Sequence, residues 1–182
     1  PSVAQLWLSP RMPRLRAEHP QMQFSVTALE HPPNLLRDMF DWSVFFDRAT
    51  GESDEIILEQ DLITPVCTPD LAAKITAPGD LSDHILLIDD SWAEDWANWA
   101  AHAGWDMAKA GRQARFSLYA LAVEEARNGA GILMGHRCLI QPDLDARRLV
   151  APFGIDATTG LTLVLKTTAQ CRAMADSLVT IL

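Results

Sequence analysis

Short apolar runs alternate with amphipathic stretches of helical period along the whole chain, and this alternation limits the fold more than anything else in the sequence. Leu6, Leu8, Met12 and Leu15 recur near helical spacing, and the first helix is expected to end at His19-Pro20. Pro10 and Pro13 lie inside it, which predicts a kink or a broken first turn. Gln23 to Thr27 reads as a strand, Asn34 to Met39 as a short helix, Trp42 to Phe46 as a strand, and Ala49 to Ser53 as a polar loop. Leu62 to Thr68 is an apolar strand carrying Pro65, expected at an edge or a crossing point. Pro69 opens a helix, Leu86 to Ile88 is a short buried strand, and Trp92 to Ala103 is a helix. A strand ends at Phe116 and a helix covers Leu118 to Arg127. Ala130 to Met134, Leu149 to Phe153 and Leu161 to Lys166 read as strands, and Thr168 to Leu182 as a closing helix.

Strands joined by helices in this order make an α/β fold, with parallel pairing expected. The stretch from Pro69 to Gly160 can form a lobe of its own, after which the last strand and helix return to the first lobe. Two strands crossing between lobes make a hinge, and a hinge makes a cleft.

Composition narrows the function classes. The net charge is −9, with 15 Lys and Arg against 24 Asp and Glu, so the chain is a poor match for a phosphate backbone. Arg11, Arg14 and Arg16 come closest to a basic patch, and they read as a solvated helix face. Mean hydropathy is +0.02, and no apolar run approaches the roughly 20 residues a membrane helix needs. Pro1-Ser2-Val3-Ala4 does not open a secretory leader. Cys67, Cys138 and Cys171 are odd in number and far apart, which argues against a disulfide framework or a zinc site and for reduced thiols in the cytoplasm.

No catalytic constellation emerges, and neither a cofactor nor a metal is expected. Gly129, Gly131 and Gly135 follow a helix and lead into a strand, the reverse of a phosphate loop, so Gly129 reads as a helix C-cap. Asp89, Asp90, Glu94 and Asp95 could offer oxygen ligands, but Asp89-Asp90-Ser91 precedes a helix and reads as its cap. His19, His31, His84, His102 and His136 show no metal-ligand spacing, and His19 fits a helix C-terminus. Trp92, Trp96 and Trp99, at i, i+4 and i+7, read as core.

Several segments, taken in order, resemble the effector domain of LysR-type transcription regulators, in particular the branch of glycine-cleavage and β-lactamase activators. Trp7-Leu8-Ser9-Pro10-Arg11 through His19-Pro20 is similar to the family's W-L-x-P-R-L…H-P helix. Asp41-Trp42-Ser43-Val44 resembles its D-x-A-I strand, and Leu62 to Pro69 its L-x-x-V-C-S-P crossing strand. Trp96-Ala97-Asn98-Trp99 with Ala103-Gly104 matches a W-x-x-W…A-G helix. Leu121 to Ala126, Gly129 to Ile132, Asp143-Leu144 and Arg148 to Phe153 follow the pattern helix, G-x-G-x-A strand, D-L…G-R-L-V-x-P-F.

The resemblance implies a type 2 periplasmic-binding-protein-like fold, two lobes joined by crossing strands with a cleft between them. The first lobe would take residues 1–68 plus 161–182, the second residues 69–160, with the winged helix-turn-helix absent from this chain. It also implies a small-molecule effector, a homodimer or higher homo-oligomer, and DNA contact only through the missing N-terminal domain. Leu6, Leu8 and Leu15 are candidate dimer contacts.

The family's cleft positions map onto Ser2, Thr27, Phe45, Thr64, Pro65, Ser117, Leu118, Tyr119, Gly131 and Ile132. Phe45 stands where the family carries Arg, and Phe116-Ser117-Leu118-Tyr119 replaces F-D-S-S. The connection around Thr167 to Gln170 looks shortened. These departures point to an aromatic or partly apolar effector with one polar end held at Ser2 or Ser117. The alternative, that Phe45 and Leu118 turn into the lobe cores and leave the cleft polar, stays open. A transport-type solute-binding protein of the same fold is the competing function, and an enzyme on this fold is a third.

Overall fold

The structure, a computed structural model, describes residues 1–181. Its helices are α1 (Met12–Glu18), α2 (Leu35–Asp38), α3 (Pro69–Ala72), α4 (Asp95–Ala103), α5 (Tyr119–Arg127), α6 (Arg137–Asp145) and α7 (Arg172–Val179). Its strands are β1 (Trp42–Asp47), β2 (Glu55–Val66), β3 (Leu86–Asp89), β4 (Gln113–Phe116), β5 (Ile132–His136) and β6 (Ala157–Thr167). Hydrogen bonding links the strands in the order β1-β6-β2-β5-β3-β4. Compactness divides the chain into residues 1–61 with 160–182, and residues 62–159. Both divisions fall inside strands, β2 and β6, which continue from one unit into the other.

In the first unit the prolines shape the opening helix. Pro10 has no N–H and crowds the preceding turn, so regular α winding fails ahead of it. The chain widens to a π-helix over Val3–Leu8, with the Ser9 N–H donating to the Ala4 carbonyl, and tightens to a 3-10 turn over Ser9–Arg11 before α1. The expected break is thus a change of winding. Met12 and Leu15 of α1 pack against Leu178 and Ile181, with Phe24 and Trp42 alongside. β1 pairs antiparallel with β6 from Trp42↔Thr167 to Asp47↔Thr162. Gln23 to Thr27 is not a strand, because no partner strand pairs with it there. Buried Glu55 pins the β1–β2 turn by accepting from the Thr50 and Gly51 N–H groups at 2.8 and 3.2 Å. Burial opposes its charge, but those donors and Lys166 hold its pKa below the ordinary value.

The second unit carries the parallel part of the sheet. β3 runs parallel to both β4 and β5, while β5 pairs antiparallel with β2 from Ile63↔His136 to Val66↔Leu133. Pairing is therefore mixed: the parallel expectation holds for β3 with β4 and β5, and fails where β1 pairs with β6 and β2 with β5. Trp96 and Trp99 are buried among Ile63, Leu86, Ile88 and Ile132, as expected, but the helix starts at Asp95, so Trp92 falls on the preceding turn and is only half-buried. The Trp96 and Trp99 indole N–H groups donate to the Leu87 and Ile155 carbonyls at 3.2 and 2.9 Å, so two large side chains enter the core without an unmet donor. Ile155 O also accepts from Thr64 Oγ1 at 2.9 Å. Leu149 to Phe153 makes only an isolated bridge, Cys67↔Val150, in place of the expected strand. Gly131 is required by close approach, since a Cβ there would lie 2.5 Å from the Ile85 carbonyl oxygen. Gly129, at φ +77°, sits just beyond the α5 cap. The expected closing helix is shorter, Arg172–Val179, and Leu182 lies outside the described residues.

One buried ion cluster locks α5 to α6. Asp143 is 1% exposed and receives Arg127 Nε and Nη2 at 2.8 and 2.7 Å and Arg148 Nε at 2.7 Å. Burial penalises its charge, yet the two guanidiniums outweigh that penalty and lower its pKa. A lowered native pKa contributes stability above the ordinary carboxylate pKa, and that stability disappears as pH falls through the native value. Asp143→Ala is expected to cost about 2–3 kcal/mol, somewhat below a fully buried pair because Arg148 is half-exposed. Chemical denaturation at pH 7 checks the magnitude. The difference between parent and variant should shrink below about pH 4.

Candidate functional site

In open α/β sheets, ligands gather beyond the carboxyl ends of parallel strands, where following helices begin. In the second unit those ends are Asp89 of β3, Phe116 of β4 and His136 of β5. Asp89 and His136 meet Trp92, Asp95, Tyr119 and Met134 around a cavity of about 10 Å³, room for one water-sized group.

Each wall is set by local chemistry. Asp89 Oδ1 accepts from the Ser91 N–H at 2.9 Å, the capping role its position predicts. Asp89 Oδ2 is buried and has no hydrogen-bond partner among the described residues. Burial pushes the Asp89 pKa up, against the Ser91 and Trp92 N–H groups. Tyr119 is 2% exposed; its hydroxyl donates to the Met134 carbonyl at 3.1 Å and accepts from the His136 N–H at 3.0 Å, fixing α5 against β5. His136 Nε2 lies 3.0 Å from Asp95 Oδ2, an ion pair when the imidazole is protonated. The Trp92 ring stands 4.0 Å from the imidazole and 4.9 Å from the phenol, centroid to centroid.

Neighbouring cations are engaged elsewhere. Arg115 bonds Asp90 at 2.7 Å, and Arg137 bonds Asp156 at 2.8 Å. Among the described residues no three His, Cys, Asp or Glu side chains converge as metal ligands. Burial raises the Cys67 thiol to about 11, so it is not a nucleophile near neutral pH.

The residues singled out from the sequence fall in both units. In the first, Ser2 is buried at the start of the opening helix, Thr27 is exposed in irregular chain, and Phe45 is half-buried on β1 opposite Val164. In the second, Ser117 is exposed and Leu118 half-buried ahead of α5. Thr64, Pro65, Gly131 and Ile132 are buried, and Ile132 belongs to the unit's core. Of the ten, only Tyr119 lines the small cavity. Sequence reasoning passed over Asp89, Trp92, Asp95 and His136 as site residues. Their signal was positional: Asp89 and His136 each end an apolar strand and precede a helical turn.

The sequence matches the LysR substrate binding domain family over residues 1–182. It is 30% identical over 164 residues to the HTH-type transcriptional regulator DsdC of Escherichia coli, covering 85% of this chain and 52% of that protein. It is 31% identical over 161 residues to the HTH-type transcriptional activator AmpR of Rhodobacter capsulatus, covering 87% and 55%. The glycine cleavage system transcriptional activator of Escherichia coli is 28% identical over 157 residues, covering 84% and 51%. The chain thus spans about half the length of the curated relatives it matches. Its fold is similar to the effector domain of AmpR from Pseudomonas aeruginosa, with a TM-score of 0.79 at 22% identity over 99% of this chain and 90% of that one. The AmpR effector binding domain from Citrobacter freundii gives 0.79 at 20% identity, over 99% and 93%. The chain belongs to the LysR substrate-binding domain family of transcription regulators and has the periplasmic-binding-protein-like fold of that family.

Proposed function

We propose that this domain binds a small organic effector and passes its occupancy on to a DNA-reading winged helix-turn-helix, without catalysing a reaction. The observation that carries this reading is the family match over residues 1–182, joined to relatives named as transcription regulators. The transport alternative finds no support among those relatives. We read the regulator as cytoplasmic; among the described residues no helix is long and apolar enough to cross a membrane. The acidic balance, 24 Asp and Glu against 15 Lys and Arg, assigns DNA contact to a part of the regulator other than this domain.

For the effector itself, Ser2, Thr27 and Phe45 from the first unit and Thr64, Pro65, Ser117, Leu118, Tyr119, Gly131 and Ile132 from the second are the proposed binding set. Their roles divide by exposure. Phe45, Ser117 and Leu118 keep accessible surface for contact, whereas Thr64, Tyr119 and Ile132 are committed to internal bonds or core and act by shaping the backbone. An apolar ring at position 45 favours an aromatic or partly apolar effector, oriented by one polar end. In a calorimetric screen, Phe45→Ala should weaken the effector found by about 2- to 10-fold. An unchanged affinity, or a small, fully charged anion as effector, defeats the apolar reading.

The domain is also expected to form a two-fold homodimer through the first helix, bearing Leu6, Leu8 and Leu15. Leu6 and Leu15 are already buried within the protomer, which leaves half-buried Leu8 as the one still offering surface. Sedimentation equilibrium of the chain should show a dimer at high concentration; a monomer throughout would refute the assignment.

A further inference from the structure

The cavity between Asp89 and His136 makes a chemical demand that the protein leaves unmet. Asp89 is 6% exposed, and its Oδ2 lacks any hydrogen-bond partner among the described residues. A buried acceptor without a donor is costly, and a buried charge without a partner more so. Two carboxyl groups, Asp89 and Asp95, face one imidazole, so acidic groups outnumber basic ones on the walls. The guanidiniums that could have balanced this excess, Arg115 and Arg137, are bonded to Asp90 and Asp156. An anion is disfavoured by the excess of acidic groups, and a metal ion by the absence of a converging ligand set among the described residues. A water would satisfy the oxygen, and an ammonium would both donate to it and answer the excess of acidic groups. The space, about 10 Å³, suits a group the size of water, which is also the size of an –NH3⁺ head. The walls do not yield easily, because the Tyr119 hydroxyl is tied to both Met134 and His136.

We infer that this nest is a binding site for a primary ammonium group held by Asp89, and, resting on the reading of the chain as an effector domain, that this group belongs to the effector. Its position beyond the carboxyl ends of β3 and β5 is the place where such sheets take ligands. An amine here is compatible with an apolar remainder on the same molecule.

Nuclear magnetic resonance of the 182-residue chain tests this with methylammonium chloride as probe, against sodium chloride at equal ionic strength. The Asp89 carboxyl carbon and the Trp92 indole N–H should shift saturably with methylammonium and not with sodium. Asp89→Asn keeps an acceptor for the Ser91 N–H, so the fold survives, and it should weaken methylammonium by about tenfold or more. Asp70→Asn, on exposed α3, should leave the titration unchanged. No saturable shift, or one that Asp89→Asn leaves intact, overturns the site. An effector without an amine that binds parent and Asp89→Asn alike overturns the assignment to the effector while sparing the effector-domain reading. A saturable methylammonium site in a chain that no organic compound stabilises upholds the nest and defeats the effector-domain reading.

Discussion

Two strands, β2 and β6, each have to serve two compact units, and the rest of the architecture follows from that constraint. β2 shows it in its burial. From Glu55 to Gln60 the strand is mostly half-buried or exposed, while from Ile63 to Val66 every residue is buried. The first part needs only one apolar face; the second is covered on both. β6 changes character in the same way, open from Thr158 to Leu161 and buried through Thr162 to Leu165. A strand that changes environment midway cannot keep one hydrophobic period, and it must pair antiparallel where its neighbour returns. The sheet is mixed for that reason, although its βα order alone suggests parallel pairing.

The same constraint explains what could be read from the sequence. The buried parts, Ile63 to Val66 and Thr162 to Leu165, lie within the runs Leu62 to Thr68 and Leu161 to Lys166 that stood out as apolar. The outer halves, with Glu55, Glu59 and Gln60 in one and Thr158, Thr159 and Gly160 in the other, are interrupted by polar residues, and no strand was expected there. Of the tryptophan stripe, Trp96 and Trp99 were legible on α4 because their period and burial agree, whereas Trp92 precedes α4 on a separate turn and is only half-buried. α6 was not: Pro142 and three charged residues interrupt Arg137–Asp145, and the helix is held by the Asp143 ion cluster instead of a continuous apolar face. Gln23 to Thr27 failed in the opposite sense. Its alternation is real, but a strand needs a partner, and Gln23 to Thr27 joins none of the six strands, although β1 lies at the edge of the sheet.

For the site, family resemblance suggests positions, and the structure shows how each is packed. Tyr119 illustrates the gap. The resemblance maps it onto a cleft position, which leads to the expectation of an outward aromatic face. In the fold its ring points inward, and its hydroxyl joins the Met134 carbonyl to the His136 amide. Only the neighbouring Ser117 and Leu118 keep surface. The residues that sequence reasoning set aside, Asp89 as a cap and His136 as an isolated histidine, come together because β3 and β5 are adjacent and parallel. Nothing in a 47-residue separation reports that adjacency, whereas a capping motif is local and was read correctly.

The two buried aspartates of the second unit show how electrostatics separates structure from function in one domain. Asp143 and Asp89 are similarly hidden from water, at 1% and 6% exposure, and burial alone would raise both pKa values. Asp143 meets two guanidiniums with all-short geometry, and its pKa falls. Asp89 accepts from the Ser91 N–H on one oxygen, its other oxygen has no hydrogen-bond partner among the described residues, and burial outweighs the Ser91 and Trp92 donors, so its pKa rises. The first arrangement is complete: adding a ligand there would have to break charged hydrogen bonds. The second is incomplete, and its cost to the folded state can be recovered only when a donor arrives from outside. A sequence that supplies guanidiniums to Asp90, Asp143 and Asp156 while leaving Asp89 without one does not lack the means to neutralise it. That selective omission, at the carboxyl ends of parallel strands, is the physical mark of a place kept open for binding.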